Sequence, residues 1–295
     1  MSELVIEPQK GPQQSFLKSD ADICIYGGSA GGGKTFSLLL DFLRHYNNKD
    51  AGAVCFRRTS PQVRNEGGLW DSSKKIYGPL GAEPKETVLT WKFPSGCKLK
   101  FGHLEYEKNV LDWQGSQIAI IYFDELTHFT EKQFWYMLSR NRSISSIKPY
   151  IRATTNPSSK SWVKKLIEWY LLPNGQADLK KSGIKRYFIR VDDKIVWSEC
   201  TNNLKKQYPA SIPKSFTFIP AQLTDNQILM KQDPSYLANL QALSKFERLQ
   251  LLDGNWNVEE TAGLFFKKHF FAEVNAAPRL VNVVRCWDRA ATEFN

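Results

Sequence analysis

The sequence predicts an α/β domain on a mostly parallel sheet flanked by helices on both faces. Three observations carry that expectation. Four apolar, β-rich runs, "ICIY", "AVCFRR", "IAIIYF" and "YIRATT", are separated or followed by segments of helical periodicity. The runs are largely apolar, as parallel strands covered on both faces are. With 295 residues and 42% hydrophobic content, the chain can bury one large domain or one and a half.

In chain order, the opening "MSELVIEPQKGPQQ" lacks a basic region leading into an apolar core, so no signal peptide is expected. No run of about 18 apolar residues offers a membrane span. After the first strand, "KTFSLLLDFLRHY" places Phe36, Leu39, Leu40 and Leu43 on one helical face. "TVLTWKFPSGCKLKF" reads as a hairpin turning at Pro94-Ser95-Gly96. "TEKQFWYMLSRNR" opens with Thr130 and Gln133 at capping-box spacing, and "SKSWVKKLIEWYLL" is a helix stopped by Pro173-Asn174-Gly175. In "DPSYLANLQALSKFERLQLLDGNW", Asp233 caps, Pro234 opens the first turn and Gly254 stops a helix striped by Leu237, Leu240, Leu243, Leu251 and Leu252. Five scattered cysteines (Cys24, Cys55, Cys97, Cys200, Cys286) and four histidines (His45, His103, His128, His269) show no metal or redox spacing. A reducing, cytosolic setting fits. The net charge of +10 favours a polyanionic partner.

The segment "GGSAGGGKT", between the first strand and its helix, matches G-x-x-x-x-G-K-[ST] through Gly28, Gly33, Lys34 and Thr35. Glycines allow positive φ, so the N–H groups across Gly28, Ser29, Ala30, Gly31, Gly32 and Gly33 can converge on one anion. The helix start adds its dipole. Lys34 would reach the β- and γ-phosphates of a nucleotide, and the Thr35 hydroxyl would ligate Mg2+. "IAIIYFDE" supplies the partner acids at the end of a buried strand: Asp124 to hold the metal and Glu125 to polarise the attacking water. An adjacent Asp-Glu pair fits a P-loop ATPase of the additional-strand, RecA-like type. Thr154, Thr155 and Asn156 end the next strand, where such sheets bind ligands, although Asn156-Pro157 also reads as a plain turn.

Taken in order, "GPQQSFL", "GGSAGGGKT", "WQGSQIAIIYFDELTHF", "LSRNRS", "ATTNP" and "LLDGNW" resemble the large terminase subunit of tailed double-stranded DNA phages over nearly the whole chain. That family's motor packages the genome into an empty capsid. The resemblance implies an ATPase core over residues 1–225, a helical lid or linker over 226–278, and the first strand of an RNase H-like nuclease over 279–295. It implies an adenine-contacting glutamine, Gln13 or Gln14, with Gln13 favoured, and a coupling role for Thr154, Thr155 and Asn156. ATP with Mg2+, double-stranded DNA, a portal protein, a small terminase subunit and a pentameric ring are implied as cofactor and partners, with a monomer in isolation. The implied setting is the cytoplasm of the infected bacterium, transiently at the procapsid portal.

Two departures from the family pattern matter. Many large terminases carry an arginine before the Asp-Glu strand, proposed as a finger on a neighbouring subunit; here the stretch reads Trp113-Gln114-Gly115. Arg142 and Arg140 are the available substitutes, each equally readable as a solvated helix-end cation, with Arg57 and Arg58 next. Secondly, the nuclease begins at Val281, Val283, Val284 and Asp288 and then stops. Asp288 would be a nuclease metal ligand in a longer chain, but the two divalent metals need further carboxylates, so no nuclease activity is expected.

Two rival classes share the phosphate motif. A RecA-like helicase or translocase should carry a second Walker-like unit, and this chain has none. A non-motor P-loop switch needs neither the Asp-Glu pair nor the basic charge.

Overall fold

The computed structural model describes residues 6–258, and each of the four apolar runs is a strand. In chain order the strands are β1 (Ile23–Gly28), β2 (Gly52–Arg57), β3 (Glu83–Lys85), β4 (Thr90–Lys92), β5 (Lys98–His103), β6 (Ile120–Phe123), β7 (Tyr150–Thr155), β8 (Arg186–Val191), β9 (Lys194–Ser198) and β10 (Lys214–Ala221). They form one sheet in the order β3-β4-β5-β2-β6-β7-β1-β10-β8-β9. The central strands from β5 to β10 pair in parallel. Antiparallel pairs extend both edges.

Side-chain alternation divides the core in two. Cys24, Tyr26, Ala53, Cys55, Ile120 and Tyr122 face one layer with Leu38 and Leu39 of the helix Lys34–Phe42. Ile23, Ile25, Val54, Phe56, Ile121 and Phe123 face the other, against Phe134 and Met137 of the helix Glu131–Leu138 and Val163 of the helix Trp162–Ile167. The strands β1, β2 and β6 are therefore buried on both sides, which is why their runs show no period.

Several expectations are refined. The hairpin forms between β4 and β5, but β5 also pairs in parallel with β2 and so enters the main sheet. Phe36 is 39% exposed rather than on the core face of its helix. The helix expected from Asp233 onward is two, Ser235–Gln241 and Lys245–Leu251. Ser244 caps the second by accepting from the Glu247 N–H at 3.2 Å while Glu247 reaches back to the Ser244 N–H. The expected nuclease strand with Asp288, residues 259–278 of the expected lid or linker, Cys286 and His269 lie outside the described residues.

Candidate active site

The phosphate loop leaves β1 at Gly28, where φ is 146° and a Cβ would lie 2.1 Å from the Ala221 carbonyl oxygen of β10. Only glycine fits there. Gly31 and Gly33 hold positive φ of 74° and 72°, and the helix begins at Lys34. The loop's carbonyls are drawn away from its concave side. Asn226 Nδ2 donates to Gly31 O at 2.7 Å, Tyr26 Oη to Gly32 O at 3.1 Å, and Ser37 Oγ to Gly33 O at 2.9 Å. Lys34 Nζ takes Gly28 O at 3.3 Å and Ser29 O. At the loop's entry, the Ser29 and Ala30 N–H groups donate to Ala221 O and Leu251 O at 2.9 and 2.7 Å. The N–H groups of Gly31, Gly32 and Gly33 have no partner among the described residues. Those of Lys34 and Thr35 are first-turn helix donors. The result is an anion nest at a helix N-terminus.

The acidic pair faces this nest from β6, and β7 lies between β6 and β1. Asp124 is fully buried, which an ionised carboxylate tolerates only when it is densely hydrogen-bonded. Thr35 Oγ1 donates to its oxygens at 3.0 and 3.2 Å, Thr154 Oγ1 donates at 2.5 Å, and Arg57 Nε lies 2.7 Å from Oδ2. Thr35 and Asp124 make a compact set of hard oxygens, the donors Mg2+ requires. Glu125 has φ 61°, uncommon for a residue with a side chain, and this turns its carboxylate into the cleft. Asn156 holds it there with two donors, the backbone N–H to Oε2 at 3.1 Å and Nδ2 to Oε1 at 2.9 Å. The Asn156 Oδ1 accepts from Lys34 Nζ at 2.9 Å, which links loop lysine, coupling segment and acid in one chain. Burial depresses the Lys34 pKa, opposed by the charges of Glu125 and Asp124. A cleft of about 370 Å³ joins residues 30–36, Glu125 and Asn156 to Asn226, Leu229 and Tyr236.

Most of the expected site residues therefore converge. Gln13 is buried and its Nε2 lies 3.5 Å from Gly33 O, whereas Gln14 makes no side-chain bond among the described residues. Thr155 Oγ1 turns to Thr127 Oγ1 at 3.2 Å and Asn156 O at 2.9 Å, so Thr154 and Asn156 are the members of that motif that touch the acids. Arg142 and Arg140 stand at the opposite end of the central strands, where β6 begins. The Arg140 carbonyl accepts from the Ile118 N–H at 3.1 Å, its guanidinium lies 5.4 Å from the Tyr136 ring centroid, and Arg142 donates to Gly115 O at 3.1 Å. Neither faces the phosphate loop of its own chain. Arg58 is occupied by Leu104 O and Gln133 Oε1 at 3.0 and 2.7 Å. His128 is exposed, and no metal cluster of His, Cys, Asp and Glu occurs among the described residues. Sequence reasoning missed Asn226 and Tyr26, which shape the loop from a distant helix cap and from β1. No local motif marks either one.

Residues 25–270 match the family described as terminase large subunit, T4likevirus-type, N-terminal. No curated protein matches the chain. Among solved structures, the large terminase of a thermophilic bacteriophage superposes with a TM-score of 0.55 at 15% identity, covering 85% of this chain and 54% of that one. The same protein in complex with ATP-gamma-S gives 0.53 at 16% identity, covering 85% and 53%. The large terminase ATPase domain of Thermus phage P74-26 gives 0.52 at 10% identity, covering 85% and 94%. The chain thus spans about half the length of the first of these relatives, and at such identities they bear on fold alone. With the family match running over most of a sheet in which one strand separates the phosphate loop from its acidic pair, the chain belongs to the terminase large subunit family, as its N-terminal part.

Proposed function

We propose that this domain hydrolyses ATP to ADP and phosphate to drive double-stranded DNA into a procapsid. The observation that carries hydrolysis is the convergence of Thr35, Asp124 and Glu125 at the nest, with Thr35 Oγ1 3.0 Å from Asp124. In this reading the nest and Lys34 hold the phosphates, and Thr35 and Asp124 hold Mg2+, which supplies charge neutralisation on the phosphoryl oxygens. Glu125 orients the attacking water and takes up its proton. Asn156 fixes the Glu125 carboxylate and belongs, with Thr154 and Thr155, to the segment that passes the nucleotide's state to DNA. Gln13, inward of Gly33, is the favoured adenine-side glutamine. Arg142 is the favoured trans-acting finger, because its guanidinium rests on Gly115, in the stretch where relatives carry an arginine.

The domain reading is a core over 1–225, a lid or linker over 226–278 and the start of a nuclease over 279–295, where Asp288 would bind metal in a longer chain. Portal protein, small terminase subunit and a pentameric ring are the proposed partners in the infected cell. The test is ATP turnover with and without linear duplex, beside strand displacement on a forked substrate. Stimulation by duplex without displacement supports packaging. Displacement supports a helicase, and turnover indifferent to duplex supports a switch.

A further inference from the structure

We propose that Arg57 is a positioning residue that serves as resident counter-cation of Asp124 and sets how much Mg2+ the site needs. This rests on the ATPase reading. Arg57 is the last residue of β2, a strand adjacent to β6, and its Nε lies 2.7 Å from Asp124 Oδ2. The carboxylate is fully buried, while the Arg57 side chain retains 20% exposure. The other Asp124 oxygen is taken by Thr154 Oγ1, and Thr35 Oγ1 spans both. Thr35 and Thr154 can keep donating when a metal is present, since a threonine hydroxyl donates its proton while offering a lone pair. Arg57 cannot share in this way. It offers only donors, and so do the waters around Mg2+; with Thr35 Oγ1 also on Oδ2, both lone pairs of that oxygen are taken, so a water of the metal's shell must displace Arg57 there.

Arg57 is suited to give way. It makes no other side-chain hydrogen bond among the described residues, and its partial exposure leaves it a route to water. Its neighbour Arg58 is fixed by two acceptors and has no such freedom. Without metal, Arg57 prevents an uncompensated buried charge at Asp124, which would be strongly destabilising. When Asp124 turns to the metal's shell, the ion pair opens. The pair therefore stabilises the empty site and raises the Mg2+ needed to fill it.

The test compares wild type with Arg57→Gln, which keeps a donor and removes the charge, and Arg57→Lys, which keeps the charge. Thermal midpoints are measured in EDTA and in Mg2+ with a non-hydrolysable ATP analogue, and binding of a fluorescent ATP analogue is titrated with Mg2+. Arg57→Gln should melt below wild type in EDTA, and the gap should close with Mg2+ and analogue. The Mg2+ giving half-maximal binding should fall by about fivefold or more, the scale of one charge-assisted bond, with Arg57→Lys between. In an Asp124→Asn background, Arg57→Gln should leave the Mg2+ dependence unchanged. Folding of Arg57→Gln only with Mg2+ and analogue is the extreme of the expected result. A gap that persists in Mg2+ with an unchanged half-point, or failure to fold in both conditions, makes Arg57 a permanent strut and overturns the proposal. Loss of analogue binding at saturating Mg2+ also overturns it, since Arg57 would then touch the nucleotide. A wild type that binds no analogue at any Mg2+ overturns the ATPase reading itself.

Discussion

Glu125 and Lys34 show how a site can be assembled with its reactive groups restrained. The left-handed backbone at Glu125 is normally a place for glycine or asparagine, and its carboxylate is held by both donors of Asn156. Replacing Glu125 with Gln keeps the shape and removes the proton acceptor. ATP binding should survive while turnover falls about two orders of magnitude or more, and single-turnover quench-flow checks this. Lys34 yields a pH dependence. Burial lowers its pKa in the free protein, and bound phosphates would raise it again. Between those two values binding takes up a proton, so affinity declines as pH rises through the free-state pKa and is flat below it. Calorimetry in two buffers of different ionisation enthalpy should reveal that uptake at alkaline pH. Lys34→Ala should abolish it and weaken affinity.

The phosphate loop is shaped by elements far apart in sequence. Asn226 donates to Gly31 O, accepts from Gln9 Nε2 at 2.7 Å, and caps the helix Gln227–Gln232 through the Leu229 N–H at 3.2 Å. Asn226→Ala should free the Gly31 carbonyl to rotate into the nest. The KM for ATP should rise about tenfold with kcat nearly unchanged, beside a stability loss of about 1 kcal/mol from the missing cap. Steady-state kinetics and urea melts separate the two effects. These long-range ties also mark the limit of what the sequence discloses. The strands β1, β2 and β6 were legible because burial on both faces leaves a nearly unbroken apolar run, β7 because β-branched and aromatic residues dominate it, and Lys34, Thr35, Asp124 and Glu125 because their chemistry fixes their spacing. By contrast β10, "KSFTFIPA", mixes threonine and proline into a buried strand, and the β8-β9 edge pair wraps Arg186 between Trp169 and Trp197, so neither shows a clean period. Phe36 follows the helical stripe yet lines the nucleotide cleft, because the first turn of that helix faces the loop rather than the core. Asn226 was invisible since its target is the backbone of a residue 195 positions away.

At the scale of the whole molecule, charge and symmetry decide what the domain can do alone. If the proposed function holds, the net charge of +10 should give sequence-independent duplex binding that weakens steeply with salt, since phosphate contacts release counterions. A fluorescence titration that is flat from low to physiological salt would show that the charge serves something else. Assembly is tested through Arg142. It lies at the end of the sheet where β6 begins, while Glu125 follows the other end of that strand, so one chain cannot bring both to a single phosphate without rearrangement. Two chains can, if the strand-start end bearing Gly115 of one meets the cleft of the next. Turnover should then rise faster than linearly with protein concentration, because only paired subunits hold a complete site. Arg142→Ala should lower kcat by several orders of magnitude in the assembled state, the scale of an arginine finger, with nucleotide affinity largely kept. Mixing Arg142→Ala with Glu125→Ala should restore part of the activity, since some mixed interfaces combine an intact Glu125 with an intact Arg142. A linear concentration dependence with no rescue places the finger within its own chain. If Arg142→Ala turns over normally, its bond to Gly115 is only a loop anchor, and Arg140 is the next arginine to remove.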